Sequence, residues 1–386
     1  MNIFLDSQAF EMQKFGGVSH SFVELACAIK RDGHNVCIGV KESSNEYLKE
    51  SGLVGDFRPL GYRQKKWFGH EQYFHGEDRI KRWIINAFNY PMNPNLDFCI
   101  KLLKRQSFDV FHPTFYDSYF LPYLKQKPYV LTVHDMMPEL YPAYFQRDDF
   151  QIIQKKLLCP LANHIVVPSN KTKEDLIDIL NINHEKITVI PHGYRKGDYC
   201  ESESHLTIDF QYVLYVGQRN AYKNFDLFVK EFSKVSKDYP EVHLFCTGVP
   251  FDEAEKKLFA ECGVVDKVHQ KFASEAELQY LYRHAITFVY PSDYEGFGMP
   301  ILEAYANNCP VMLNNASCFP EVAGDAAIYF ELGKGRDSDF YDKFKYLYEM
   351  SDDDRNQLLA KQEERLSLFS WEKAAESLIK VYESVI

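Results

Sequence analysis

The sequence predicts an α/β protein built from two Rossmann-like domains, and two observations lead to this prediction. Short apolar runs rich in Val, Ile and aromatic residues alternate with longer helix-like stretches, which is typical of βαβ units with a parallel sheet. The alternation occurs twice along 386 residues, a length greater than that of one average domain. We therefore expect two parallel sheets that face a cleft between the domains.

Six strands are predicted in each half of the chain. In the first half they lie at 2–6, 35–40, 109–113, 129–134, 164–168 and 187–191. In the second half they lie at 211–216, 242–247, 268–272, 286–291, 311–314 and 327–331. The chain is expected to cross between domains near Pro191-His192-Gly193, which separates residues 1–193 from 194–369. The last segment, 370–386, has helical apolar spacing after a Ser370 cap, and we expect it to join the first domain.

Composition narrows the classes of function. Hydrophobic residues make up 46% and charged residues 26%, as in ordinary globular proteins. The formal charge of -11 opposes the neutralisation of phosphates, so nucleic acid is not an expected partner. The start of the chain has no charged leader and no run approaches 18 apolar residues, which predicts a cytoplasmic protein without a spanning helix. Nine scattered cysteines without a C-x-x-C spacing predict reduced thiols.

The stretch after the strand at 286–291 is the most informative motif. A glycine-containing turn follows the strand, and an apolar helix begins near Met299. Unpaired N–H groups at a helix start, together with the helix dipole, favour a bound anion such as a diphosphate. The candidate ligand-binding residues are Glu295, Gly296, Phe297, Gly298, Met299, Pro300, Leu302 and Glu303.

The two glutamates of this motif, Glu295 and Glu303, are expected to hold different ligands. Eight residues of helix span roughly 12 Å. A glycosidase carboxylate pair acts across roughly 5–9.5 Å, so that class of hydrolase is disfavoured without being excluded.

A second strand–glycine–helix motif contributes Gly217, Arg219 and Lys223. The two cations are four residues apart, so they could converge on one anion and neutralise charge on a departing diphosphate in place of a metal ion. The alternative is a surface charge pair.

Two further motifs lie in the first domain. Gly16 and Gly17 precede a helix, where glycine permits close backbone approach to a ligand, but they lack the G-x-G-x-x-G spacing of a dinucleotide site. His134 and Asp135 follow a strand, where an imidazole can donate to a hydroxyl or stabilise charge. His112 also follows a strand. A plain turn and structural histidines are the alternatives.

The Glu295 and Glu303 spacing, with the Gly-Phe-Gly turn, resembles the E-x7-E motif of retaining glycosyltransferases of family 4, which have the GT-B fold and build bacterial surface polysaccharides. The resemblance implies that Glu295 lies by the donor sugar, that Glu303 holds the ribose, and that the turn amides meet the sugar and diphosphate. Arg219 and Lys223 look like the family's cation pair. His192 stands where relatives often carry asparagine.

The resemblance also implies roles in the other motifs. Gly16 and Gly17 are similar to the glycine loop of the acceptor domain, and His134 to a histidine that meets the donor sugar. By position, Lys271 and Phe272 would lie near the nucleobase, while His112 and Asp135 are acceptor-side candidates.

The implied activity is retaining transfer of a hexose from a nucleotide sugar, GDP-mannose or a UDP-sugar, without a metal or other cofactor. The implied acceptor is a saccharide or lipid-linked saccharide. The alternatives are a GT-B phosphorylase, a sugar-nucleotide epimerase and a non-catalytic nucleotide-sugar-binding protein, with a nicotinamide oxidoreductase the most distant.

Residues 44–108 interleave aromatic and basic side chains, among them Arg58, Trp67 and Trp83. One interpretation is that 58–105 contact an anionic membrane or the acceptor, which would place the enzyme at the inner face of the cell membrane. The other is an insertion with a solvated basic face.

Overall fold

The computed structural model describes residues 1–60, 93–145, 149–195, 206–219 and 221–386. All twelve predicted strands are present, and each lies within its predicted span. Every strand pair within these ranges is parallel. The predicted α/β architecture with two parallel-sheet domains is therefore confirmed.

The first domain has two sheet segments, ordered β2-β1-β3 and β4-β5-β6, which a bridge between Phe111 and Tyr129 joins. Its strands are β1 Asn2–Leu5, β2 Asn35–Ile38, β3 Val110–His112, β4 Val130–Thr132, β5 His164–Val167 and β6 Ile187–Val189. Its helices are α1 Gln8–Met12, α2 Gly17–Arg31, α3 Glu46–Ser51, α4 Pro94–Arg105, α5 Leu121–Leu124, α6 Met137–Leu140, α7 Phe150–Leu161 and α8 Asn170–Leu180.

The second domain has one sheet, ordered β12-β11-β10-β7-β8-β9. Its strands are β7 Gln211–Tyr215, β8 Val242–Thr247, β9 Val268–Lys271, β10 Thr287–Tyr290, β11 Val311–Asn314 and β12 Ile328–Phe330. Its helices are α9 Phe225–Asp238, α10 Glu253–Cys262, α11 Glu275–His284, α12 Met299–Ala306, α13 Phe319–Ala323, α14 Phe340–Tyr348 and α15 Asp352–Leu366. The strand order reverses between β7 and β10, and such a switch point is where ligands gather in open α/β sheets.

The last helix, α16 Trp371–Val385, returns to the first domain. The Ser370 hydroxyl caps it by accepting from the Glu372 and Lys373 N–H groups. Its buried face, which includes Trp371, Leu378 and Tyr382, packs into the same core as α2. A Cβ on Gly193 would overlap the Trp371 backbone, so the two passages of the chain between the domains lie in close contact.

Parts of three sequence interpretations fall outside the described residues. These are the centre of the basic-aromatic segment at 61–92, the linker at 196–205, and Asn220 of the second motif. Within the described ranges, none of the helices has the length and hydropathy needed to cross a bilayer. The eight cysteines that the structure describes are free thiols.

Candidate active site

The turn between β10 and α12 is fixed by a glycine in the left-handed region and by buried apolar side chains. Gly298, with φ of +94°, is the N-cap of α12, and a Cβ there would come within 3.1 Å of Ile301 Cδ1 and 3.3 Å of Phe319 Cε1. Met299 begins the helix, Pro300 has no backbone N–H, and the Ile301 N–H donates to the Gly298 carbonyl at 3.0 Å. Phe297 and Leu302 are buried in the apolar core. The Phe297 and Leu302 side chains thus anchor the turn, and the Met299 N–H at the start of α12 has no partner inside the helix.

Glu295 is held by an ion pair that the sequence did not predict. Lys223 Nζ lies 2.8 Å from Glu295 Oε1, and both side chains are only 12% exposed. The Ser292 hydroxyl donates to the same oxygen at 2.9 Å. Burial lowers the pKa of Lys223, but the Glu295 carboxylate outweighs it and the net shift is upward. The lysine is therefore a persistent cation at the switch point of the sheet.

Arg219 is bonded to a different carboxylate. Its Nε donates to Glu255 Oε1, and its Nη2 donates to the Val249 carbonyl at 2.8 Å. The guanidinium lies over the Phe251 ring at 4.8 Å. Nη1 is buried without a hydrogen-bond partner among the described residues. Arg219 and Lys223 were predicted to converge on one anion, but here each forms its own ion pair, with Glu255 and Glu295 respectively. Nη1 of Arg219 is the nitrogen that has no partner among the described residues.

The first domain meets this turn through the loop after β4. A Cβ on Gly296 would overlap the His134 carbonyl oxygen and lie 3.1 Å from Asp135 Cβ. The Ser169 hydroxyl, which caps α8, donates to the Gly296 carbonyl at 2.7 Å. The motif turn and the His134-Asp135 loop are consequently in direct backbone contact across the cleft.

His134 is partly buried, and its buried Nε2 atom has no hydrogen-bond partner among the described residues. Burial, with help from the Lys155 charge, lowers the pKa of His134 to about 4. The ring lies 6.3 Å from that of His192. Asp135 Oδ1 accepts from the Met137 N–H at 3.0 Å. A neutral histidine with one free ring nitrogen therefore stands at the cleft.

Glu303 lies inside α12 and is separate from Glu295. The Tyr282 hydroxyl donates to Glu303 Oε2 at 3.0 Å. Burial raises the pKa of Glu303, and the nearby Glu275 charge adds to the shift. The two glutamates thus have different partners in the protein, and the prediction that they hold separate ligands stays a prediction.

A buried tyrosine links the two domains beside the site. The Tyr294 hydroxyl donates to Asp175 Oδ2 at 2.8 Å and accepts from the Met136 N–H at 3.2 Å. Asp175 lies on α8 and Met136 precedes α6, so both partners belong to the first domain. This contact ties the residue next to Glu295 to the opposite wall of the cleft.

Several candidates lie apart from this cluster. His112 is fully buried, with Nδ1 2.6 Å from the Tyr382 hydroxyl and Nε2 2.8 Å from Thr132 Oγ1. The expectation that it faces an acceptor is corrected, because both ring nitrogens are bonded inside the core. Lys271 pairs with Glu277 at 3.0 Å, and the Phe272 side chain is exposed.

The predicted glycine loop of the first domain, Gly16 and Gly17, lies at the start of α2. Gly16 is its N-cap in extended conformation, and a Cβ there would overlap the Gln13 side chain. A Cβ on Gly17 would meet no atom within 4 Å. The start of α2 is therefore open at Gly17.

The sequence interpretation missed the residues that hold the charged groups. They are Glu255 on Arg219, Ser292 and Ser317 around Glu295, Tyr282 on Glu303, and Tyr294 across the cleft. The only available signal was the D-x-x-E capping spacing of Asp252 and Glu255, which indicates a helix start and not a partner for a distant arginine.

Two family models match the chain, one on each domain. The model described as Glycosyltransferase Family 4 matches residues 15–195, and the one described as Glycosyl transferases group 1 matches residues 200–365. The chain belongs to this family of glycosyltransferases, of family 4 type and with the GT-B fold.

Individual proteins agree with this assignment. O-antigen chain mannosyltransferase RfbU of Salmonella typhimurium is 30% identical over 54% of this chain and 58% of its own length. O-antigen chain mannosyltransferase B of Escherichia coli is 27% identical over 55% of this chain and 59% of its own. The matched region thus spans less than two thirds of each of these relatives.

Solved structures share the fold at low identity. Sucrose-phosphate synthase from Thermosynechococcus elongatus superposes with a TM-score of 0.70 at 18% identity, covering 100% of this chain and 98% of that one. Anabaena HepE in complex with UDP and glucose gives 0.70 at 14% identity, with 99% of each chain covered.

Proposed function

We propose that this chain is a retaining glycosyltransferase that moves a hexose from a nucleotide sugar to a saccharide or lipid-linked saccharide acceptor in polysaccharide biosynthesis. The observation that carries the proposal is the buried Lys223–Glu295 pair beside the glycine-capped start of α12. A cation, helix amides and a carboxylate meet there at the switch point of the second sheet. This combination suits an anionic leaving group that is attached to a polyhydroxylated substrate.

The donor is proposed to lie mainly on the second domain. Its diphosphate accepts hydrogen bonds from the Met299 N–H at the start of α12, from Lys223 and from the unpartnered Nη1 of Arg219. Glu303 accepts hydrogen bonds from the ribose, and the Tyr282 hydroxyl is the partner that the described residues supply to its carboxylate. The bound diphosphate competes with Glu295 for Lys223, and Glu295 then accepts from a sugar hydroxyl.

The proposed chemistry needs no covalent enzyme intermediate. The bond from the sugar anomeric carbon to the diphosphate oxygen breaks, and its electron pair leaves with the diphosphate. The acceptor oxygen bonds to that carbon from the same face, and its proton passes to the departing diphosphate. Arg219, Lys223 and the turn amides stabilise the growing negative charge. We propose that these groups perform the role that a metal ion has in other transferases.

The position of His134 fits a contact to the donor sugar. Its backbone carbonyl contacts Gly296, its Nε2 has no partner among the described residues, and its lowered pKa keeps the ring neutral at neutral pH. A neutral imidazole can donate to or accept from a hydroxyl without adding charge to the site.

GDP-mannose is the favoured donor within this proposal. Four relatives carry mannose in their names: the two O-antigen mannosyltransferases, MMP alpha-(1->4)-mannosyltransferase and mannosylfructose-phosphate synthase. A UDP-sugar is the second candidate, because HepE was crystallised with UDP and with UDP-glucose.

The proposal is tested by calorimetric titration with GDP, UDP, GDP-mannose and UDP-glucose. One nucleotide is expected to bind selectively, and Arg219→Ala and Glu303→Ala should each weaken its binding by at least tenfold, since a charge-assisted hydrogen bond contributes about 1.5–3 kcal/mol. Lys343→Ala, an exposed lysine of the same domain, serves as the control. A folded protein that binds none of the four would refute the donor site. Product NMR then reports the anomeric configuration, and turnover in EDTA tests independence from metal.

A further inference from the structure

The outer face of α7 carries an apolar stripe, which we define as Phe150, Ile153, Leu157 and Leu161. Their side chains are 48%, 50%, 43% and 55% exposed. The spacing of three, four and four residues aligns them along one side of the helix over roughly 16 Å. Single exposed apolar residues are ordinary, whereas a continuous row on one helix is a candidate interaction surface.

The inner face of α7 is fixed to the candidate active site. Lys155 is fully buried, with Nζ 2.7 Å from Glu139 Oε2 and 3.0 Å from the Asp135 carbonyl. Leu158 and Cys159 pack in the core of the first domain. The stripe therefore lies about one helix diameter, ~10 Å, from the loop that meets the motif turn.

The charges around the stripe differ from those of the whole chain. The net charge is -11, yet the α7 sequence contains no acidic residue. Lys156 is exposed among the apolar side chains, and Lys186 Nζ lies 2.7 Å from the Pro160 carbonyl at the end of the helix. The N-cap carboxylate of Asp149 accepts from the Gln151 N–H. A row of apolar side chains flanked by lysines is complementary to an anionic lipid surface.

The size of the stripe argues against a second protein as its partner. A large side chain has about 200 Å² of accessible surface, so four side chains that are half exposed have roughly 400 Å² of accessible apolar surface. A stable protein–protein interface buries about 800 Å² on each partner. A bilayer needs no matching contour, and apolar side chains gain about 25 cal/mol per Å² on entering it.

We propose that the α7 stripe docks this chain on an anionic lipid bilayer and holds the cleft about one helix diameter above it. The proposal goes beyond glycosyl transfer and does not depend on which acceptor is used. It also concerns a surface different from 58–105, most of which lies outside the described residues.

The test is sedimentation of the purified full chain with vesicles of phosphatidylglycerol and phosphatidylcholine, and with phosphatidylcholine alone. The variant Ile153→Ser with Leu157→Ser should lower partitioning to the anionic vesicles by at least tenfold. The matched control, Val265→Ser with Tyr346→Ser, removes two exposed apolar side chains of the second domain and should bind like the wild type. Lys156→Gln should lower binding about fivefold on the anionic vesicles only.

Three outcomes would overturn the proposal. The first is that the wild type does not sediment with anionic vesicles, and the second is that the stripe variant sediments as well as its control. The third is that light scattering shows a dimer for the wild type and a monomer for the stripe variant, which would make a second copy the partner. Because all four substituted apolar side chains are about half exposed, thermal melts should show both variants folded.

Discussion

The change Gly296→Ala tests whether the contact between the two domains positions the site. Its Cβ would overlap the His134 carbonyl oxygen and lie 3.1 Å from both the His134 carbonyl carbon and Asp135 Cβ. Ordinary carbon contacts are about 3.5–4.0 Å, so the turn and the loop must separate by about 1 Å. The overlapping atoms are backbone on one side and the new methyl on the other, and no side-chain rotation relieves them.

The expected cost falls on catalysis. A shift of about 1 Å in the placement of reacting groups can lower the rate about 100-fold, which corresponds to about 2.7 kcal/mol. Glu303 lies inside α12 with Tyr282 as its partner, away from the new methyl, whereas the turn itself carries part of the proposed diphosphate site. We therefore expect kcat/KM to fall about 100-fold and nucleotide affinity to fall much less.

The assay is steady-state transfer or donor hydrolysis, with nucleotide titration on the same preparations. Gly55→Ala is the matched control, because a Cβ there would meet no atom within 4 Å. Wild-type kcat/KM in a folded Gly296→Ala protein would refute the inference that this backbone contact sets the geometry of the site.

The remaining predictions concern single buried groups. Lys223→Met should lower kcat by about 10²–10³-fold, because it removes the cation that is proposed to stabilise the departing diphosphate. Unchanged kinetics would contradict that role. Tyr294→Phe should lower the free energy of unfolding by about 2 kcal/mol in urea titrations, because the Asp175 carboxylate and the Met136 N–H each lose a hydrogen-bond partner. An unchanged urea midpoint would show that these two hydrogen bonds add no stability. Burial lowers the pKa of three histidines, to about 3, 4 and 3 for His112, His134 and His192. The stability that these neutral rings contribute is complete above the unfolded pKa near 6.5 and is lost as the pH falls toward the folded pKa values. The loss is up to about 1.4 kcal/mol per pH unit for each histidine, so the urea midpoint should drop between pH 6.5 and 5. A midpoint that does not change with pH would be inconsistent with buried neutral rings.

Much of the fold could be predicted because its signals are local. Each strand is a short apolar run, and each observed strand falls inside its predicted span. The glycine turn before α12 and the Ser370 cap are likewise local patterns. The capping box of Ser274 and Glu277, which starts α11, is a further pattern set by residues three apart.

The candidate site was only partly predictable, because its contacts join residues far apart in the chain. Arg219 and Lys223 are four residues apart, yet their carboxylates, Glu255 and Glu295, lie 36 and 72 positions away. Nothing in the sequence pattern distinguishes one carboxylate from the many others as the partner. His112 illustrates the opposite error, because a strand-end position suggests exposure until Tyr382 of α16 covers it.

The sequence by itself therefore determined the α/β class, the strand positions and the motifs at the strand ends, since apolar periodicity and glycine turns act over a few neighbouring residues. Only the tertiary structure decided which charges pair, which histidines are buried, and where the two domains touch. Those outcomes depend on distances between elements: an ion pair or a backbone contact forms when packing brings two surfaces within about 3–4 Å, whatever their separation in sequence.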